Sequence, residues 1–231
     1  MPPDPRLSSV AKALVLDLDG TLVDTVETRI HAWLAAFDEF GIPASRTQVA
    51  PLIGIDGRRL ARDVATAAGH DLPPGGDEAI DLRSGEIYGE LNRDPRPLPG
   101  ARELLTWLDD AGLPWAIATS SRREQVGASL AALDLPRSPT IVDGTHVTHA
   151  KPAPDLLLLA SRELDREPAG CWCVGDSTWD MEAATAAGML PVGVTAGAAV
   201  SSAELRAAGA ALVIETLTDL RDEVHQRMGS N

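Results

Sequence analysis

Ala13-Leu14-Val15-Leu16-Asp17-Leu18-Asp19-Gly20-Thr21-Leu22-Val23-Asp24-Thr25 decides the reading of this chain. An apolar run ends abruptly in two carboxylates two residues apart, and a glycine follows at once. The pattern predicts a buried strand that closes in a charged loop, with Gly20 letting the backbone turn. In an open α/β sheet ligands bind at the carboxyl ends of parallel strands, which puts Asp17 and Asp19 where chemistry is usually done. Carboxylates this close repel unless a cation shares them, and an all-oxygen pair suits a hard ion such as Mg²⁺ better than zinc. A helix-loop-helix calcium loop is excluded because Leu22 and Val23 occupy positions that would need oxygen ligands.

Outward from this stretch, the sequence alternates between two patterns. Val26, Ile30, Trp33, Leu34 and Phe37 recur at helical spacing until Gly41-Ile42-Pro43. Further helices are predicted over about 57–68 and 77–92, and no strand is legible between Asp24 and Pro95. Residues 24–95 therefore read as a helical insertion, bounded by the proline-rich 94–100. From Gly100 helix and strand alternate, with strands predicted at 115–119, 140–143, 171–175, 191–194 and 211–214. Helices fall at 101–110, 123–133, 154–164 and 178–187. Repeated βα units imply a doubly wound, Rossmann-like parallel sheet. The fold class is thus α/β, with residues 1–23 and 96–231 as the core.

The chain has 231 residues, with 44% hydrophobic and 23% charged, ordinary for a globular protein with a sizeable core. Its net charge of −14 argues against nucleic acid and anionic membranes as partners. No apolar stretch approaches the ~18 residues of a membrane span, and the first twelve residues lack a signal-peptide core. Cys171 and Cys173 are too close for an unstrained mutual disulfide and read as packed thiols in a reduced, cytoplasmic setting. Of twenty basic residues only Lys12 and Lys151 are lysines, which raises the question of what an ammonium does at Lys151 that a guanidinium does not.

Four sites follow predicted strands or open helices: Asp17/Asp19, Thr119-Ser120, Lys151-Pro152, and Gly175-Asp176-Ser177-Thr178-Trp179-Asp180. Singly, each has a plain structural explanation as a turn, a helix cap or a loop lysine. Gly175-x-Ser177 also begins like a serine-hydrolase elbow, but Trp179 stands where that turn needs glycine. In this order they supply what phosphoryl transfer needs. Asp17 is the candidate nucleophile, and Asp19 the general acid and then base. Thr119, Ser120, Gly20 and Lys151 are candidate phosphate contacts. Asp176 completes the metal site, with Asp180 one helical turn later as a ligand or its partner.

Asp17-Leu18-Asp19-Gly20-Thr21-Leu22-Val23-Asp24-Thr25, Ala118-Thr119-Ser120-Ser121, Lys151-Pro152-Ala153-Pro154-Asp155 and Gly175–Asp180 resemble the four motifs of the haloacid dehalogenase-like hydrolases. The nearer resemblance is to the phosphoglycolate phosphatase and β-phosphoglucomutase group, whose helical cap is inserted after the first strand. That resemblance implies that residues 24–95 form a cap. It also implies Asp17 as nucleophile, Asp19 as acid/base, Thr119 and Lys151 on the phosphate, and Mg²⁺ held by Asp17, the Asp19 carbonyl and Asp176. Ala150 departs from the glycine usual before the lysine. True dehalogenases lack the second aspartate, and phosphonatases need a cap lysine that residues 24–95 do not contain. In the mutases the acid/base histidine would fall at Arg29 and the cap arginine at Gly57. Both departures favour a phosphatase.

The expectation is therefore a Mg²⁺-dependent phosphatase of a small phosphorylated metabolite, such as phosphoglycolate or a sugar or polyol phosphate, acting through an aspartyl-phosphate as a monomer or homodimer. The alternatives are a β-phosphoglucomutase-like phosphomutase and a non-catalytic metabolite-binding or regulatory protein on the same fold. Arg58, just after the Gly54–Gly57 loop, is the candidate cap contact to substrate. Its alternative, shared with Arg59 and Arg62, is a solvated helix face. Trp33, Trp107 and Trp115 read as core, and Trp179 as either packing or the rim of the site.

Overall fold

The computed structural model describes residues 10–228. A six-stranded parallel sheet has the order β5-β4-β1-β6-β7-β8, with β1 (Ala13–Leu16), β4 (Trp115–Ala118), β5 (Thr140–Val142), β6 (Cys171–Gly175), β7 (Leu190–Val194) and β8 (Leu212–Ile214). The chain winds outward from β1 through β4 and β5 on one side and through β6 to β8 on the other. The order therefore reverses at β1, where such sheets open a crevice at their carboxyl ends.

β1 shows why the sheet is buried on both faces. Leu14 and Leu16 join a core built with α5 (Ala101–Asp110) and α10 (Leu217–Met228). Ala13 and Val15 join the opposite core with α7 (Asp155–Glu163) and α8 (Thr178–Ala187). β6 alternates likewise, sending Trp172 and Val174 one way and Cys171 and Cys173 the other. Both cysteines are free and buried.

Between β1 and α5 the chain forms α1 (Val26–Glu39), a short α2 (Arg46–Val49), α3 (Gly57–Ala67) and α4 (Gly76–Leu91), which enclose a separate apolar cluster. The start and end of this insertion pair as a two-residue antiparallel ladder, β2 (Val23–Asp24) with β3 (Arg96–Pro97), too short to be legible in sequence. The helix predicted over 123–133 is instead a 3₁₀ turn, Arg123–Gln125, followed by α6 (Gly127–Ala132). Gly127 inside the run weakens its helical continuity. α2, α9 (Ser202–Ala207) and α10 are further helices that the apolar periodicity did not reveal.

Candidate active site

Asp17 is the first residue after β1, and its amide donates to the Val174 carbonyl of β6 at 2.9 Å. This anchors it between the two central strands. Thr119 follows β4 and Asp176 follows β6, so parallel register alone brings three motifs to one edge.

Lys151 joins them. Its ammonium reaches Asp17 Oδ1 at 2.5 Å, Asp180 Oδ1 at 2.7 Å and the Ala118 carbonyl at 2.9 Å. Its side chain is 1% exposed. Burial alone would push the ammonium pKa down, and the Asp17 and Asp180 carboxylates more than reverse this.

Asp176 accepts from Thr21 Oγ1 at 2.8 Å and, among the described residues, pairs with no ammonium. Burial raises its carboxyl well above the usual range, and the charges of Asp17 and Asp180 add to the rise. Asp17 is pushed up to about 7 by burial, with Lys151 opposing and Asp180 reinforcing. Asp180 caps its own helix, taking the Ser177 amide on Oδ2 at 3.1 Å and the Ser177 hydroxyl at 2.5 Å. Ligand atoms of Asp17, Asp176 and Asp180 lie within 4.8 Å of one another. With all three carboxylates ionised and only the Lys151 ammonium against them, the cluster has a net charge of −2, which a divalent cation would neutralise. All the donors are hard oxygens, as such an ion prefers. Gly20, at φ +88°, keeps the approach open, since a Cβ there would fall 2.3 Å from Asp176 Oδ2.

Asp19 is held differently. Its Oδ1 accepts from Thr25 Oγ1 at 2.8 Å and from the Tyr88 hydroxyl at 2.9 Å. Its Oδ2 accepts from Arg29 Nη2 at 2.7 Å and from Ser121 Oγ at 3.0 Å. The Arg29 guanidinium also lies 3.5 Å over the Tyr88 ring. Burial works to raise the Asp19 pKa, but the Arg29 charge and the hydrogen bonds outweigh it and hold the carboxyl below its usual range. Tyr88, the only tyrosine of the chain, is in turn braced by Asn92 Nδ2 at 2.8 Å.

Thr119 is buried, and its Oγ1 accepts from the Ser121 amide at 3.1 Å. Ser120 Oγ is buried with no hydrogen-bond partner among the described residues, in the wall of a cleft between the sheet edge and the helical insertion. Asp17 and Asp19 form one side of this cleft. Trp33, Ile53, Ile55 and Leu60 of the helical insertion contribute the apolar side.

The structure thus gathers Asp17, Asp19, Gly20, Thr119, Ser120, Lys151, Asp176 and Asp180, but it turns Arg58 away. Arg58 is 45% exposed, faces Asp56 at 3.8 Å and is not among the residues lining the cleft. The apolar stripe of α3, Leu60, Ala61, Val64 and Ala65, faces inward and carries Arg58 outward. Trp179 donates to the Pro51 carbonyl at 3.0 Å and takes Arg59 5.3 Å over its ring, linking α8 to the insertion. Trp33, read as core, is both buried and part of the cleft wall. Arg29, Tyr88, Ser121, Asp81 and Gln125 were not identified as site residues from sequence.

An α/β sheet with an acidic cleft at its switch point and helices inserted after its first strand is a doubly wound scaffold with its ligand crevice under the insertion. Residues 14–194 match the haloacid dehalogenase-like hydrolase family, and the chain belongs to it. It is 32% identical over 200 residues to a β-phosphoglucomutase of Bacillus subtilis, covering 84% of this chain and 88% of that one. It is 31% identical over 183 residues to the fructose-1-phosphate phosphatase YqaB of Escherichia coli, covering 78% and 95%. A hydrolase of known structure from Pseudomonas syringae superposes with a TM-score of 0.88 at 32% identity, covering 93% of this chain and 98% of that one.

Proposed function

We propose that this chain, a phosphoric monoester hydrolase of the haloacid dehalogenase-like family, hydrolyses a small sugar- or polyol-type phosphate monoester through an aspartyl-phosphate on Asp17. The observation that carries the reading is the buried cluster of Asp17, Asp176 and Asp180, in which only Asp17 and Asp180 pair with the ammonium of Lys151. Asp17, the Asp19 carbonyl and Asp176 would hold Mg²⁺, with Asp180 behind them. The ion supplies charge neutralisation where an anionic nucleophile meets an anionic phosphate.

In the first step a carboxylate oxygen of Asp17 attacks phosphorus as the ester bond breaks; Asp19, kept a carboxylate by Arg29 in the free site, takes up a proton as substrate binds and passes it to the departing alkoxide. In the second, Asp19 takes a proton from the water that attacks the aspartyl-phosphate, restoring Asp17 and releasing phosphate. Lys151 neutralises and orients Asp17, while Thr119, Ser120 and the Gly20 backbone contact phosphate oxygens. Residues 24–95 act as a cap that excludes bulk water during transfer. Two free buried thiols suit a reduced compartment such as the cytoplasm.

The relative in Bacillus subtilis favours one second reading, a phosphomutase. Phosphate release from a panel of phosphorylated metabolites, with and without Mg²⁺ and with Asp17→Asn in parallel, tests both. Metal-dependent release that is lost in the variant is expected. Conversion of a hexose 1-phosphate to its 6-phosphate without net release would establish the mutase instead.

A further inference from the structure

The α4 helix presents one stripe to the site. Asp81, Gly85 and Tyr88 recur at i, i+4 and i+7 and so share a face. Tyr88 bonds the acid/base Asp19, whereas Asp81 lines the cleft about seven residues back, roughly 10 Å along the helix axis. The structure is cut to admit Asp81. A Cβ on Gly57 would fall 1.9 Å from Asp81 Oδ1, so the carboxylate packs directly against bare α3 backbone. Its Oδ2 accepts from Arg122 Nη2 at 3.2 Å. Gln125 lines the same cleft, with its amide set against Gly85.

The charges here are unusual for a site that takes an anion. Arg29 is the only cation lining the cleft among the described residues, and it is committed to Asp19. Arg58, Arg59 and Arg62 pair outside with Asp56, Asp63 and Asp77. The part of the substrate distant from the reacting phosphate therefore meets a carboxylate and an amide, with no free cation. Arg122 pairs with Asp81 and offsets its charge, so a second phosphate or a carboxylate there finds no unpaired cation to bind, while hydroxyls find acceptors. Burial raises the Asp81 pKa, and the Arg122 charge opposes the rise and favours the carboxylate form.

We propose that Asp81 is a specificity residue that accepts hydrogen bonds from the hydroxyls of an uncharged polyol or sugar chain carrying one phosphate, and that it excludes phosphoglycolate and bisphosphates. This rests on the phosphatase reading above and narrows it. Asp81 and Tyr88 stand about two helical turns apart on α4, which places Asp81 away from the Tyr88–Asp19 contact and toward the part of the substrate that does not react.

The test measures kcat/KM for sorbitol 6-phosphate, fructose 1,6-bisphosphate, phosphoglycolate and p-nitrophenyl phosphate with Mg²⁺, in the wild type, Asp81→Asn and Asp81→Ser. The wild type is expected to favour the sorbitol ester over phosphoglycolate and the bisphosphate at least ~10-fold. Within each variant the ratio of sorbitol ester to p-nitrophenyl phosphate is expected to fall about 10-fold, mostly through KM. A wild type that hydrolyses phosphoglycolate or the bisphosphate as well as the sorbitol ester overturns the inference, as does an unchanged ratio in both variants. Failure to release phosphate from any ester, p-nitrophenyl phosphate included, overturns the phosphatase reading and this inference with it.

Discussion

Replacing Asp176 with Asn is expected to stabilise the metal-free protein while removing its activity. Asp176 shares a buried cluster with Asp17 and Asp180, with ligand atoms within 4.8 Å, while the ammonium of Lys151 contacts only the other two. At an effective dielectric of ~20, each like-charge pair at that distance costs roughly 3 kcal/mol, and the more distant ammonium returns less than one such pair. The net penalty on Asp176 is then roughly 3 kcal/mol, and Asn keeps the shape and an acceptor for Thr21 Oγ1. For a chain of this size that corresponds to a rise in Tm of ~5–10 °C in EDTA at pH 8. The sign of the pH dependence follows from the raised carboxyls of Asp176 and Asp17. The folded cluster binds protons more tightly than the unfolded chain, so this contribution to wild-type stability is present at low pH and is lost as pH rises from ~4 through the raised values. The advantage of the variant should therefore shrink at pH 5. Saturating Mg²⁺, at ~100 times its Kd, should restore ~2.7 kcal/mol to the wild type and little to the variant. Differential scanning calorimetry at both pH values, with EDTA or Mg²⁺, reads all of this. A variant that melts at or below the wild type in EDTA at pH 8 would refute the claim that the cluster carries uncompensated negative charge.

Lys151→Arg should lose at least ~10²-fold in kcat and destabilise the fold by roughly 3 kcal/mol or more, measured by phosphate release and by urea unfolding, because a planar fork cannot serve the acceptors around Nζ. Arg122→Ala should raise KM several-fold for the preferred substrate with a Tm change under ~2 °C, since its pairs with Asp81 and Glu78 are partly solvated and bridge the insertion to the core.

The core was legible because its signals are local and repeated. Apolar runs ending in acid or hydroxyl residues marked β1, β4 and β6, and a parallel sheet brings such endings together without further information. α9 and α10 were also within reach, since Ser201 with Glu204 and Thr216 with Asp219 form reciprocal caps, a signal independent of apolar periodicity. The insertion was less legible for a physical reason. Which face of α1 or α4 meets Asp19 depends on how those helices dock on the sheet, so Arg29, Tyr88 and Asp81 carry no local mark. Arg58 illustrates the converse. Its position beside the loop suggested a substrate contact, whereas the burial of the α3 stripe decided its direction.

The retention of a lysine at position 151 in so arginine-rich a chain finds its reason in this geometry. Lys151 donates to Asp17 Oδ1 and the Ala118 carbonyl and pairs its charge with Asp180 Oδ1, partners grouped around a single atom that a compact ammonium can serve and a guanidinium cannot. Every group gripping Asp17 belongs to the sheet and its loops. Asp19, two residues on, takes Arg29 from α1 and Tyr88 from α4, both in the insertion. The two carboxylates of one loop are thus held by two different packed units. Displacing the inserted helices would strip Asp19 of its cation and the Tyr88 hydroxyl while leaving Asp17 on its ammonium, so the docking of α1 and α4 bears on the acid/base and not on the nucleophile.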